Sequence, residues 1–145
     1  MNETAISQYI IGAFPDVESV TVSGDTFFFN DPAKMFPFAT MVTSDTDGAF
    51  SDLGRPSVFR FNIGVGKHTF QSLFPPKATG EEETAHDFTA LDRIMPHPVY
   101  GKMYWICVLN PSEETFIALK TLLAEAYDLS AKRLSNTKQT NDAQV

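Results

Sequence analysis

The chain has one cysteine, one tryptophan, three histidines and eleven basic residues among its 145, and each shortage closes off a class of function. A lone Cys107 cannot form a disulfide within the chain. Its neighbours Ile106 and Val108 place it in a strand as a structural thiol, since a reactive one needs exposure and a depressed pKa. His68, His86, His97 and Cys107 show none of the close paired spacings by which a short loop wraps zinc, so no metal is expected. Eleven Lys and Arg against eighteen Asp and Glu leave a net charge of -7, which repels phosphate backbones and argues against general nucleic-acid binding. No apolar run approaches the roughly 18 residues of a membrane-spanning helix. The opening "MNETAISQYI" carries Glu3 and no basic cluster, so a secretory signal is not indicated and the cytoplasm is the expected compartment. The glycines of "NIGVGK" supply only Gly-x-Gly-Lys of a phosphate-binding loop, and no cofactor is expected.

What is present is enough for a core. With 43% hydrophobic residues, a chain of this size buries about two thirds of its unfolded surface as one domain. Asn2 or Thr4 can cap a helix with Ile6, Tyr9, Ile10, Ala13 and Phe14 on one face, ended by Pro15 and Asp16. "ESVTVSGDTFFFND" reads as a hairpin turning through Ser23-Gly24-Asp25. "KMFPFATMVTSD" supplies a third strand from about Phe38 to Thr43, with Phe36 and Phe38 placed for core packing. Ser44 to Pro56 is a polar loop. "SVFRFNIGV" is a fourth strand whose period of two puts Val58, Arg60, Asn62 and Gly64 on one face and Phe59, Phe61, Ile63 and Val65 on the other, toward helices.

"GKHTFQSLFPP" predicts a short helix, "KATGEEETAH" an acidic surface loop, and "DFTALDRIM" a second short helix capped by Asp87, with Phe88, Leu91 and Met95 inward. "MYWICVLN" is the last strand, led by Met103. Asn110 as cap, Pro111 at the first helical position and Glu113 start a long closing helix. Its stripe is Phe116, Leu119, Leu122, Leu123, Ala126, Tyr127 and Leu134. The expectation is one α+β domain over 1-134, a two-layer α/β sandwich. An antiparallel sheet of about five strands lies between N- and C-terminal helices, and a disordered tail spans 135-145.

The entry into the third strand at "AKMFPFATM", the run "HPVYGKMYWICV" and the closing "LLAEAYDLSAKRL" together resemble YjbR/MmcQ-like domains. "FPFAT", "FRFNIGV" and "LDRIMPHPVYG" look closer still to a bacterial family of uncharacterised small proteins related to that group. The similarity runs from about Ile6 to Leu134. It implies the CyaY-like fold shared with bacterial frataxin, and a weak DNA-binding role of the kind suggested for YjbR-like domains. The family carries no established activity or cofactor. "FRFNIG" stands where those domains tend to carry lysine and cysteine, and the acidic "GEEETAHD" is an insertion near the short helices.

The chemistry-bearing residues are few. His97 lies between Pro96 and Pro98, where rigid backbone fixes the ring's direction, and imidazole is the usual acid-base group. Its plainer reading is a side chain that bonds loop carbonyls and ties the segment to the sheet. Arg60 and Asn62 share a polar strand face expected to be partly open, with His97 and Tyr100 overhanging it. Arg93 joins them as a ligand-binding candidate. The leading expectation is a non-enzymatic binding domain, monomeric or weakly dimeric, for a small anionic ligand or a protein partner. The alternatives are a small enzyme using His97 as acid or base, with no other catalytic residue indicated, and a weak DNA-binding protein using Lys102, Lys120, Lys132, Arg133 and Lys138.

Overall fold

The computed structural model describes the backbone of residues 1-45, 48-75 and 86-143, with side chains as far as Lys132. Helix α1 (Glu3–Ala13) starts at Asn2, whose carboxamide oxygen accepts the Ala5 amide at 2.8 Å; this satisfies one of the orphan donors at a helix N-terminus. Strands β1 (Glu18–Val22) and β2 (Asp25–Phe29) follow. Their turn is Ser23-Gly24 alone, both residues at positive φ (52° and 87°), because Asp25 already pairs with Val22. Two positive φ values match the right-handed twist of the paired strands, which is why this turn type closes tight hairpins.

Strands β3 (Ala39–Val42) and β4 (Arg60–Gly64), helix α2 (Lys67–Leu73), strands β5 (Met95–Pro96) and β6 (Trp105–Leu109), and helix α3 (Glu113–Ala143) complete the α+β fold. All six strands form one antiparallel sheet in the order β1-β2-β3-β4-β6-β5. The strand beyond the expected five is Met95–Pro96. Proline is tolerated there because β5 is an edge, where one face of the backbone needs no partner.

The helices cover one sheet face, as the period of two in β4 requires. Phe28, Ala39, Met41, Phe59, Phe61, Ile63, Val65, Ile106 and Val108 are buried against Ile6, Ile10, Phe116, Leu119, Leu123 and Ala126. Rings lock the layers: Tyr9 meets Phe116 edge-on at 5.3 Å, and Phe14 stacks on Tyr127 at 4.9 Å. Each such buried side chain contributes about 1.5–3 kcal/mol. Glu125 of α3 reaches the start of α2, accepting the Gly66 amide at 3.0 Å. It takes the place of the side-chain cap that glycine lacks.

The other face is covered too, and several expectations change with it. Leu53, Met95, Cys107 and Leu109 form a second buried cluster with Val42, Val58 and Phe88 packed against it. The segment read as a polar loop folds over that face. Asp45 holds the Leu53 amide, and the Arg55 guanidinium bonds the Ser51 and Thr89 carbonyls. "DFTALDRIM" is not a helix: Asp87 caps a turn at Thr89, and the chain then runs beside β6 through a bridge between Leu91 and Leu109. Phe36 is 57% exposed while Phe38 is buried. Met103 belongs to a 3-10 turn (Gly101–Met103), so β6 begins at Trp105.

Asn110 does not cap α3. Its φ is 44°, and its side chain accepts the Phe59 amide and donates to the Ser57 carbonyl. Ser112 caps instead, bonding the Thr115 amide at 3.1 Å. The α3 backbone continues to Ala143, past Leu134; no glycine or proline interrupts 113-143. Of the acidic loop expected at "KATGEEETAH", residues 77-85 lie outside the described residues.

Candidate functional site

Antiparallel register stacks the second sheet face into rows. Val42, Arg60 and Leu109 face one another across β3, β4 and β6; Thr40, Asn62, Cys107 and Met95 form the next row; Gly64 and Trp105 the third. On β2, Phe27 pairs with Thr40, and one further step of that register sets Asp25 beside Val42. The Thr43 amide donates to Asp25 Oδ1 at 2.9 Å, which anchors that corner. Beyond Pro96 the ladder continues, with the His97 amide bonded to the Trp105 carbonyl at 2.9 Å. The proline-framed histidine thus prolongs the edge strand before the chain turns.

A chain of hydrogen bonds runs under this face. Arg60 Nε donates to Asn62 Oδ1 at 2.8 Å, Arg60 Nη1 to Ser51 Oγ at 3.0 Å, and Asn62 Nδ2 to Thr40 Oγ1 at 2.9 Å. Arg60 is 1% exposed and Asn62 2%, so the face expected to be open is a buried polar floor. A guanidinium taken out of water is costly unless its donors are met. Asn62 meets both neighbours with opposite ends of one amide, which fixes its orientation.

His97 is 4% exposed. Its Nδ1 receives two backbone amides, from Val99 and Tyr100, each at 3.0 Å, as an aspartate or asparagine does in an Asx turn. An atom that accepts two N–H groups carries no proton, so the ring proton belongs on Nε2. The Tyr100 ring lies 5.0 Å from the imidazole.

Above the floor is a cavity of about 480 Å3. Thr40, Asn62 and Arg60 underlie it, Phe27, Trp105 and His97 wall it, and Asp25 stands at one corner. Phe36, Tyr100 and Met103 line the mouth and are 48–64% exposed. Trp105 lies across Gly64, where an added Cβ would come within 2.9 Å of the indole. Four of the five candidate residues, Arg60, Asn62, His97 and Tyr100, therefore share one cavity. Arg93 is exposed and does not line it.

A separate groove of about 400 Å3 is lined by Asp16, Glu18 and Asp31, with Glu18 paired to Lys34 at 2.7 Å. Among the described residues no group of three or more His, Cys, Asp or Glu could hold a metal ion. No helix among them is long and apolar enough to cross a membrane.

Residues 1–139 match the model of a family of unknown function, DUF6194. The chain belongs to that family. No curated protein and no solved structure matches it.

In this DUF6194 member the cavity joins mostly apolar walls to a few fixed polar groups, the usual composition of a small-molecule site. General-base chemistry through His97 Nδ1 is closed, since both amides would have to be released first. Two carboxyls outside the cavity are held below their ordinary range: Asp87 by the Thr89 hydroxyl and then its amide, and Asp92 by the Ser112 amide and then the Thr115 hydroxyl. Both serve turns and helix starts. Sequence reasoning missed Asp25, Phe27, Thr40, Ser51, Met103 and Trp105 as neighbours of Arg60 in one cavity. The period of two along β2 and β3 sets Asp25 with Phe27, and Thr40 with Val42, but with Asp25 read as part of the turn and strand order unknown those pairs could not be brought to Arg60.

Proposed function

We propose that this chain is a binding domain whose second-face cavity takes a small molecule with an apolar body and one anionic head. The observation that carries the reading is a cavity of about 480 Å3 over the Thr40-Asn62-Arg60 floor, with exposed Phe36, Tyr100 and Met103 at its mouth. That volume falls within the range of about 300–1,000 Å3 typical of small-molecule sites. Among the described lining residues Arg60 carries a positive charge, and bonds that include those to Asn62 and Ser51 fix its side chain. Such preorganisation lowers the cost of binding. Exposed large apolar side chains clustered at one concavity are a mark of a binding surface, and the concave shape favours a small molecule over a protein partner.

The test uses Trp105, the sole tryptophan, as an internal reporter in the cavity wall. Hydrocinnamate, an aryl carboxylate, is expected to change its emission saturably, and hydrocinnamide, the neutral isostere, to bind about tenfold or more weakly. Emission that responds to neither compound overturns the proposal. Equal affinity for both removes the anionic head from it.

A further inference from the structure

Strand β1 is one edge of the sheet, and among the described residues no strand pairs with its outer side. The two edges differ. β5 is two residues long and ends in Pro96, and a short edge with a proline resists the addition of another strand. β1 reads "ESVTV", with no proline or lysine, and four of its five residues are exposed. Its register with β2 runs from Glu18↔Phe29 to Val22↔Asp25 without a bulge, so nothing bends the edge away. Val20, Thr21 and Val22 are β-branched and favour the pleated conformation a partner strand needs.

The tight turn decides which backbone groups point outward. Val22 and Asp25 flank the two-residue turn and therefore exchange hydrogen bonds, and such pairs alternate with non-bonded ones along an antiparallel ladder. Glu18, Val20 and Val22 accordingly turn their N–H and C=O groups toward β2. Ser19 and Thr21 turn theirs to solvent, and those four groups are what an added strand would meet.

We propose that this edge pairs with β1 of a second copy of the chain, antiparallel about a two-fold axis at Val20. Outward groups must meet outward groups, and with Val20 on the axis Ser19 faces Thr21 of the second copy and Thr21 faces its Ser19. All five residues of the strand then have a partner. An axis at Thr21 would set Ser19 against Ser23, whose φ of 52° lies outside strand geometry. An axis at Ser19 would need Val17, which is buried. Val20 meets its own counterpart as a non-hydrogen-bonded pair, where Cα atoms approach to about 4.5 Å and the side chains touch. Charge agrees with this register. Glu18, the strand's one charged residue, stands opposite Val22 rather than its counterpart, and Lys34 already answers it at 2.7 Å. One strand from each copy makes an interface smaller than the roughly 1,200 Å2 of stable complexes, so the dimer is weak, with a Kd of about 10 µM to 1 mM.

The test is sedimentation velocity of the full chain from about 10 µM to 1 mM. The average mass is expected to rise from 16.1 kDa toward twice that value, and Ser19→Pro to stay at the monomer mass throughout. Proline at this position removes an outward N–H and no bond to β2, so the ladder survives; a melting temperature close to wild type establishes that it does. Val20→Lys is a second variant that leaves the backbone alone and sets two ammonium groups against each other on the axis. It should weaken association about tenfold or more. In the wild type, hydrogen exchange at the Ser19 and Thr21 amides should slow as concentration rises. A mass that stays at 16.1 kDa across the range overturns the proposal and leaves the edge to a strand of another protein. Folded variants that associate as the wild type does overturn it as well, because the interface then lies elsewhere.

Discussion

His97 and Asp92 are both polar side chains committed to backbone amides, one inside the cavity wall and the other at the surface. Asp92 has a φ of 58° and holds the Ser112 amide at 2.7 Å, just where α3 begins. The Ser112 amide is also the main reason its carboxyl is held below 3.8. A carboxyl depressed in the folded state adds stability that is fully present above its unfolded value and is lost as pH falls through the folded one. Asp92→Asn keeps the left-handed backbone, which asparagine tolerates, and removes only the charge. Expected is a loss of about 0.3–1 kcal/mol at neutral pH, the usual scale for a carboxylate at a helix start. In thermal melts the gap between variant and wild type should close as pH drops well below 3.8. A gap that is constant with pH would show that the charge contributes nothing.

At the scale of elements, the contact of β4 with β6 shapes the site. Gly64 faces Trp105 in the register of these strands, and the absence of a Cβ lets the indole lie flat across β4. Gly64→Ala puts a carbon 2.9 Å from the ring, so the indole must move. Overpacking of this kind costs about 1–3 kcal/mol, readable by chemical denaturation. The displaced ring should also shift Trp105 emission and weaken hydrocinnamate binding. Unchanged stability and emission together would mean that Trp105 does not rest on Gly64. β5 matters for the opposite reason: two residues suffice to dock Met95 and Pro96 onto β6, and this short pairing carries His97 over the floor.

For the molecule as a whole, net charge is the property that bears on partners. Residues 1-66 hold eight acids and three bases, and residues 95-145 hold five of each, so no half is strongly basic. Lys120 lies over the Tyr9 ring at 4.9 Å, which draws it to the α1–α3 seam rather than toward Lys102. Titration with labelled duplex DNA at low salt is expected to show no binding. Binding that weakens steeply with added salt, the signature of counterion release, would reverse that expectation.

The sequence by itself determined the local periodicities, and through them most of the elements. The alternation of "FRFNIGV" and the stripe from Phe116 to Tyr127 each announce which side is apolar, and burial follows from that. Arg60 and Asn62 could be paired as candidates because a strand repeats every two residues, and His97 and Tyr100 because of their chemistry. Tertiary structure alone decided that the polar face is covered, since the segment over it, through Ser51, Leu53 and Phe88, has no periodicity to read. It also decided that Asn110 ties β4 to β6 while Ser112 caps α3, two nearby groups able to do either task. Most of all it decided who shares the cavity. Asp25, Thr40, Arg60 and Trp105 come together through the order β2-β3-β4-β6, and pairing between distant strands is chosen by the burial of the whole sheet rather than by any local run of residues.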